Sequence, residues 1–355
     1  MRRTQYLILF LIGLFLFISV FSIFSVFILD ADGLSVREEF EHNTDPTDND
    51  TDNDGIKDGI EVNKYNTNPN KEDTDNDGLD DDLEIKYNTS PTNPDTDGDS
   101  IKDGAEVYNT ETYPNADPLQ KDVYLEVEYA FSYNKTQVND TLSPVVTMYA
   151  DAPVENPDGT TGINLHPQIT NSSVSNKSFN VTREKYNNSG EHKVFGNKSN
   201  YTIEYVKINA SDYKNKIGTS FNHKNTSGYY QVTYVNFICQ NGEDCMSTAN
   251  GLAFINNSST VIATTESSTT AHEIGHLLGL LHSDYRGIDS EEVHPTDYPS
   301  VMNYNYNEHS LFDEYRKDDY NYTLQYSNGE GFNDWKEINQ TIANDTRTSQ
   351  CNCYE

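Results

Sequence analysis

Three histidines occur at a spacing that suits a zinc site. Residues 271–282 read Ala-His-Glu-Ile-Gly-His-Leu-Leu-Gly-Leu-Leu-His. On a helix, His272 and His276 lie on the same face one turn apart, so both imidazoles can bind one ion. Gly279 allows the chain to leave the helix sharply, because glycine readily adopts positive φ. His282 can then return to the same ion as a third ligand.

Glu273 adds a base to this pattern. Its carboxylate is next to the first histidine in the sequence, where it can hold a metal-activated water and remove its proton. Three protein ligands leave one coordination position open for that water, which is typical of a catalytic zinc site. The spacing therefore predicts one catalytic Zn²⁺ with Glu273 beside it.

Short β-favouring segments precede the histidines and should position them. Gly251–Ile255 and Val261–Thr265 are apolar runs separated by polar residues, so we expect two strands and a turn. A further strand is expected at Asp122–Phe131, where apolar and polar side chains alternate. The Ser/Thr-rich stretch before the motif predicts Thr269 or Thr270 as the N-cap of the histidine-bearing helix.

A methionine-containing turn follows the third histidine, in the segment Tyr-Pro-Ser300-Val-Met302-Asn-Tyr304. With the histidine motif, this turn resembles the metzincin zinc endopeptidases. In that family the methionine forms a hydrophobic floor beneath the zinc, and the resemblance assigns this role to Met302. The serine–methionine–tyrosine spacing is similar to that of the astacin and serralysin branches. Their tyrosine stabilises the oxyanion, and by resemblance that role falls on Tyr304.

The branch within the metzincins stays undecided, because Ser283 after the third histidine is typical of matrixins. The resemblance implies an α+β fold with a mixed twisted sheet and an active-site helix. It also implies that an edge strand pairs with extended substrate, for which Gly251–Ile255 is the candidate. The expected activity is zinc-dependent endopeptidase hydrolysis of protein or peptide substrates. The alternative is a calcium-dependent adhesion or spacer protein with an inert protease-like head, against which the intact Glu273 argues.

An acidic pattern recurs about every 22 residues upstream of this region. Each copy places oxygen ligands at positions 1, 3, 5, 9 and 12 of a loop, which is the EF-hand-type calcium pattern. The predicted calcium ligands are Asp50, Asp52, Asp54, Asp58 and Glu61, then Asp73, Asp75, Asp77, Asp81 and Glu84, then Asp95, Asp97, Asp99, Asp103 and Glu106.

These loops resemble thrombospondin type 3 calcium-binding repeats, which form a rod with little hydrophobic core. Up to about three structural Ca²⁺ ions are expected, one for each loop. The third loop has Ser100 where the other two have glycine, which predicts a weaker site. The alternative is a disordered acidic linker, which composition alone favours but the threefold register does not.

The N-terminus carries an apolar segment, Tyr6–Leu29, after two arginines. Its length suits a membrane-spanning helix, and the arginines predict that the following residues lie outside the cell. A cleaved secretory signal is the alternative, which would make the protein secreted. The predicted organisation is a membrane anchor at 1–29, calcium-binding repeats at 30–118 and a metzincin-like catalytic domain at 119–355.

Charge and cysteine content set the remaining expectations. The chain has 57 acidic and 24 basic residues and a formal net charge of −33, which excludes nucleic acid as a partner. Outside the cell, Cys239 and Cys245 can form a local disulfide, although Cys351 and Cys353 allow other pairings. Repeated Asn-x-Ser/Thr sequences predict a glycoprotein.

Overall fold

Two compact units make up the chain. The computed structural model describes residues 32–130, 133–173, 182–187, 202–209, 222–223, 225–235, 237–239, 251–254, 258–281, 288, 300–302, 325–328 and 332–347. Within these ranges, no helix is both long and apolar enough to span a membrane. The predicted span Tyr6–Leu29 lies outside the described residues.

The first unit runs to Thr96 and also takes in Lys102–Thr110. It consists of acidic loops that alternate with short helices. The helices are α1 (Val36–His42), α2 (Asp58–Ile60, continued by a π-helical turn Glu61–Tyr65), α3 (Asp81–Tyr87) and α4 (Asp103–Tyr108). Asn43, Asn66 and Asn88 stop the first three at a left-handed residue with φ of 63–65°. Asparagine tolerates this conformation better than most residues, so the sequence limits each helix to one or two turns.

A partial repeat that the sequence analysis missed precedes the first predicted loop. Asp32 accepts a hydrogen bond from Leu34 N (2.8 Å) through Oδ1 and from Gly59 N (2.7 Å) through Oδ2. Asp77 makes the equivalent pair with Leu79 N (2.7 Å) and Gly104 N (3.0 Å). The signal was present in the sequence, because Asp-Gly-Leu at 32–34 matches Asp-Gly-Leu at 77–79.

The second unit comprises Asp97–Ile101 and Glu111–Gln350. Its elements are β1 (Asp122–Tyr129), α5 (Lys135–Ala150), β2 (Asn164–Ser173), β3 (Thr182–Asn187), β4 (Thr202–Asn209), β5 (Tyr229–Tyr234), β6 (Phe237–Cys239), β7 (Gly251–Phe254), β8 (Ser259–Ile262), α6 (Ser267–Leu277) and α7 (Asp334–Ala343). One sheet has the order β2-β1-β5-β8-β7, and a smaller one has the order β3-β4-β6. In the larger sheet β1, β2, β5 and β8 are parallel and β7 is antiparallel to β8. The expected mixed sheet with helices is confirmed.

The hydrophobic core lies on one face of the larger sheet. Leu125 of β1 and Val232 of β5 are fully buried there, with Leu142 of α5, Ile274 of α6 and Ile338 of α7. Side chains alternate between the faces of a strand, so this face collects the apolar residues of β1 and β5. The histidine-bearing helix α6 is thus fixed to the sheet by its own apolar stripe.

Two strands precede α6 as predicted, but the second lies at Ser259–Ile262 rather than at Val261–Thr265, and the N-cap also differs from the prediction. The two strands are β7 and β8, and Ile255 lies outside the described residues. The helix begins earlier than expected, with Glu266 as its N-cap. Thr270 is unavailable as a cap because it is fully buried and its hydroxyl is 3.1 Å from the Tyr234 hydroxyl of β5. Tertiary packing therefore overrides the local capping preference.

Candidate metal centres

Two imidazoles converge on one point of α6. The Nε2 atoms of His272 and His276 are 3.1 Å apart. His272 Nδ1 is 2.9 Å from the carbonyl oxygen of Val301, and His276 Nδ1 is 2.6 Å from that of Leu280. A carbonyl oxygen only accepts hydrogen bonds, so both Nδ1 atoms carry the proton. In each neutral ring, Nε2 then offers its lone pair to a metal.

This donor set fits zinc. Zinc binds imidazole nitrogen at about 2.0–2.1 Å, and tetrahedral coordination then places two ligand nitrogens about 3.3 Å apart. The observed separation of 3.1 Å between the His272 and His276 nitrogens is close to this value. Each ring also has the backbone carbonyl partner that metal-binding histidines usually have, which fixes the tautomer and the ring orientation.

The carboxylate of Glu273 lies beside the first residue of β7. Glu273 is buried, with 6% of its surface exposed. A Cβ atom on Gly251 would lie 2.4 Å from both Cγ and Oε1 of Glu273. Glycine at this position therefore lets the strand approach the Glu273 carboxylate closely, which the sequence alone does not indicate.

Met302 packs against α6, and its predicted role beneath the zinc stays a prediction. It is fully buried, and a Cβ on Gly275 would lie 2.7 Å from its sulfur atom and 2.9 Å from the Tyr326 hydroxyl. The Tyr326 hydroxyl donates a hydrogen bond to the carbonyl of Ala271 in α6. Glycine between the two histidines thus allows the methionine and this tyrosine to contact the helix backbone.

Gly279 ends the helical region with a φ of +96°, as the motif predicted. It is also constrained by packing, because a Cβ there would lie 2.1 Å from Thr341 Oγ1 of α7. His282 and Tyr304 lie outside the described residues, as does Cys245, and the side chain of Cys239 is not described. Their predicted roles therefore stay predictions.

The repeats bring their carboxylates together in two ways. Within the first two loops, the residues at positions 1, 3 and 5 cluster, each offering an oxygen within 4.8 Å of the others. Oxygens that share one Ca²⁺ at 2.3–2.6 Å can be at most about 5 Å apart, so these clusters fit the ion. Their members are Asp50, Asp52 and Asp54 in the first loop and Asp73, Asp75 and Asp77 in the second.

A second type of cluster combines residues of successive repeats. Position 9 of one repeat joins positions 5 and 12 of the repeat before it, again with oxygens within 4.8 Å. One such cluster is Asp54, Glu61 and Asp81, and the other is Asp77, Glu84 and Asp103. The twelve-residue pattern alone predicts positions 5, 9 and 12 around a single ion of one loop, so this arrangement differs from the expectation.

The electrostatics of these clusters favour the binding of positive charge. Glu61 and Glu84 are fully buried, and the Oε2 atom of each accepts no hydrogen bond within the described part of the chain. Burial and the nearby Asp52 raise the pKa of Glu61 to about 8. Burial and the nearby Asp75 raise the pKa of Glu84 to about 10. Buried carboxylates with repelling neighbours hold protons at neutral pH unless a cation replaces them.

Part of the third loop belongs to the second unit. Asp95 and Glu106 lie in the first unit, whereas Asp97–Ile101 lies in the second. Within the second unit, the Ser100 hydroxyl donates to the carbonyl of Ile342 (2.6 Å) and accepts from Asp345 N (3.1 Å). Serine therefore replaces the expected glycine, despite its φ of +72°, because its hydroxyl caps the end of α7.

Helix α6 packs against a mixed sheet and directs two imidazoles to one point, with a buried glutamate beside them. This arrangement is that of a metallopeptidase-type centre. A sequence model of the metallopeptidase family M12B, reprolysin-like, matches residues 148–328. This match covers half of the chain, and the protein belongs to this family. The bacterial TSP3 repeat matches residues 50–72 and 73–94, while a search of curated proteins found no match. The family implies zinc, and the repeats imply calcium binding.

Proposed function

We propose that this protein is a zinc-dependent endopeptidase that hydrolyses peptide bonds outside the cell and is tethered by a calcium-stabilised spacer. The observation that carries the proposal is the 3.1 Å approach of the His272 and His276 Nε2 atoms, with both Nδ1 atoms held by backbone carbonyls. Family membership supports the same class of activity. His282 is proposed as the third ligand from the motif alone.

Each residue of the centre then has a defined task. His272 and His276 would hold one zinc ion, which when bound polarises the scissile carbonyl and acidifies water. Glu273 accepts the proton of the attacking water and delivers it to the leaving amine. Tyr304 is proposed as an oxyanion donor.

Substrate is proposed to bind as an added strand along β7. This strand is the last in the sheet order and is antiparallel to β8. An extended peptide can pair with such an edge through main-chain hydrogen bonds. Because β7 begins at Gly251, which lies directly against Glu273, a peptide bound along this edge would pass close to the proposed base.

Calcium is proposed to stabilise the repeats through both kinds of cluster. Support comes from the fit of the oxygen separations to one ion and from the raised pKa values of Glu61 and Glu84. The anchor at residues 6–29 and a location outside the cell are proposed from the sequence alone. Fractionation of cells that express the full chain tests the anchor, because removal of residues 1–29 should release the protein from the membrane.

Replacement of the base tests the proposed activity. Glu273→Gln keeps the shape of the side chain but removes its basicity, so peptide cleavage should fall at least about 100-fold, since general base catalysis contributes about that much. Zinc content measured by metal analysis should stay at the wild-type level. The exposed Glu155→Gln is the matched control and should leave cleavage unchanged. Undiminished cleavage by Glu273→Gln would refute the mechanism, and absence of cleavage by the wild type would favour the adhesion alternative.

A further inference from the structure

The carboxylate of Asp334 lies at the end of a hydrogen-bond chain that leads to His272. Asp334 is the first residue of α7 and is fully buried. Its Oδ2 accepts from the Ser300 hydroxyl (2.5 Å) and from Ser327 N (2.9 Å). Asp334 N in turn donates to the carbonyl of Ser327 (3.0 Å). The helix N-terminus and two donors therefore hold this charge in place.

Ser300 passes this constraint into the methionine-containing turn. Since its hydroxyl proton is directed to Asp334, the oxygen lone pairs are left for another donor. That donor is Met302 N, at 3.1 Å from Ser300 Oγ. The orientation of the hydroxyl thus depends on Asp334, and the position of the Met302 N–H depends on the hydroxyl.

The next step uses the planarity of the peptide bond. The N–H of Met302 and the C=O of Val301 belong to one peptide group, which is trans, so they point in opposite directions. Ser300 therefore holds one side of this plane while the other side presents its oxygen to His272 Nδ1 at 2.9 Å. A hydrogen bond from Val301 N to the carbonyl of Gln325 (3.0 Å) fixes the preceding peptide group.

We infer that Asp334 is a positioning residue for the zinc ligand His272, acting through Ser300 and the Val301–Met302 peptide group. The carboxylate sets the carbonyl that keeps the proton on Nδ1 and directs Nε2 to the ion. This inference rests on the proposed zinc site, and it assigns a role to a residue some 60 positions beyond the histidine in the chain.

Zinc affinity is the quantity that this role controls. Loss of a partner that orients a metal ligand commonly weakens binding 10- to 100-fold. Because Asp334 is linked to His272 through a chain of three hydrogen bonds, the lower end of this range applies. Asp334→Asn removes the charge with little change in size, and Ser300→Ala removes the relay. Each should raise the zinc dissociation constant about tenfold, measured on the full chain with calcium by competition against a chelator.

The double variant and a neighbouring control separate positioning from general destabilisation. Asp334→Asn combined with Ser300→Ala should weaken zinc binding no more than the stronger single change, because both break the same chain. Asn333→Ala removes the N-cap acceptor of Lys336 N in the same helix, so it should lower the Tm of the zinc-free protein without changing the zinc dissociation constant.

Two results would overturn the inference. One is an unchanged zinc dissociation constant in Ser300→Ala or Asp334→Asn, and the other is an equal loss of affinity in Asn333→Ala. If Asp334→Asn does not fold, Ser300→Ala carries the test alone. A wild-type chain that binds no zinc would instead refute the zinc site itself, so the two failures are distinguishable.

Discussion

Substitution of Gly251 by alanine should displace the base without removing the metal. The added Cβ would lie 2.4 Å from Cγ and Oε1 of Glu273, whereas non-bonded carbon atoms rest at about 3.5–4.0 Å. Glu273 or the strand must therefore move by more than about 1 Å. A misplacement of about 1 Å at a catalytic group costs about 100-fold in rate, which is about 2.7 kcal/mol in the activation free energy.

The assay is kcat and KM for a cleavable peptide, with zinc content measured on the same samples. We expect kcat to fall about 100-fold for Gly251→Ala and zinc content to stay unchanged, because His272 and His276 are held by carbonyls far from β7 in the sequence. The control is Ala253→Gly in the same strand, which loosens β7 but adds no atom near Glu273. Wild-type kcat in Gly251→Ala would refute the contact, and loss of zinc would refute the assignment of the effect to the base.

Three further predictions concern the repeats and the end of α6. Gly279→Ala should lower the free energy of unfolding by at least about 1–2 kcal/mol, because φ at this position is +96°. Adding Thr341→Ser to this variant should not restore the stability, since serine keeps the Oγ atom that the new Cβ would contact. Thermal unfolding of the single and double variants checks both expectations. Glu84→Gln should raise the calcium concentration at which the repeats are half ordered about tenfold or more, because calcium affinity depends on the number of charged ligands. Circular dichroism during a calcium titration measures this concentration, and the exposed Glu41→Gln is the control. In chelator, the repeats should be more ordered at pH 5 than at pH 9 by circular dichroism, and saturating calcium should abolish that difference.

The sign of the pH prediction follows from the pKa values. The pKa of Glu84 is raised from its ordinary value of 4.5 to about 10 by burial and Asp75, and that of Glu61 to about 8 by burial and Asp52. A group whose pKa is higher in the folded than in the unfolded state contributes its full stabilisation at pH values below its unfolded-state pKa. That contribution is lost as the pH rises through the folded value. Order that increases with pH in chelator would therefore refute the arrangement of these clusters.

The parts of the centre that could be predicted from sequence are those set by local spacing. His272 and His276 share a helix, so their separation in the chain determines their separation in space. The same reasoning predicted Gly279, whose role depends on its own φ. The strand pair before the helix was predictable because its turn is short and its residues favour strands.

The parts that could not be predicted depend on contacts between distant segments. Nothing near Gly251 or Asp334 in the sequence indicates that one contacts Glu273 and the other supports the turn at Ser300. The N-cap prediction was wrong for the same reason, because the buried Thr270 hydroxyl lies against Tyr234. In the repeats, a twelve-residue pattern identifies the carboxylates, but only the fold shows that Asp81 lies with Asp54 of the preceding repeat.

The two kinds of proposed metal centre differ in the charge that their residues bring together. His272 and His276 have neutral carbonyl partners at Nδ1 and lie on a helix anchored by the buried Ile274, so these contacts bring no like charges together. Glu61 and Glu84 instead bury oxygens that repel neighbouring carboxylates, so their clusters need either protons or cations. Because position 9 of each repeat completes the cluster of the preceding one, loss of one ion removes a constraint from two repeats. Because protons can replace the cations at lower pH, a chelator should disorder the repeats cooperatively as the pH rises toward 9, while the buried apolar residues keep the histidine-bearing helix folded.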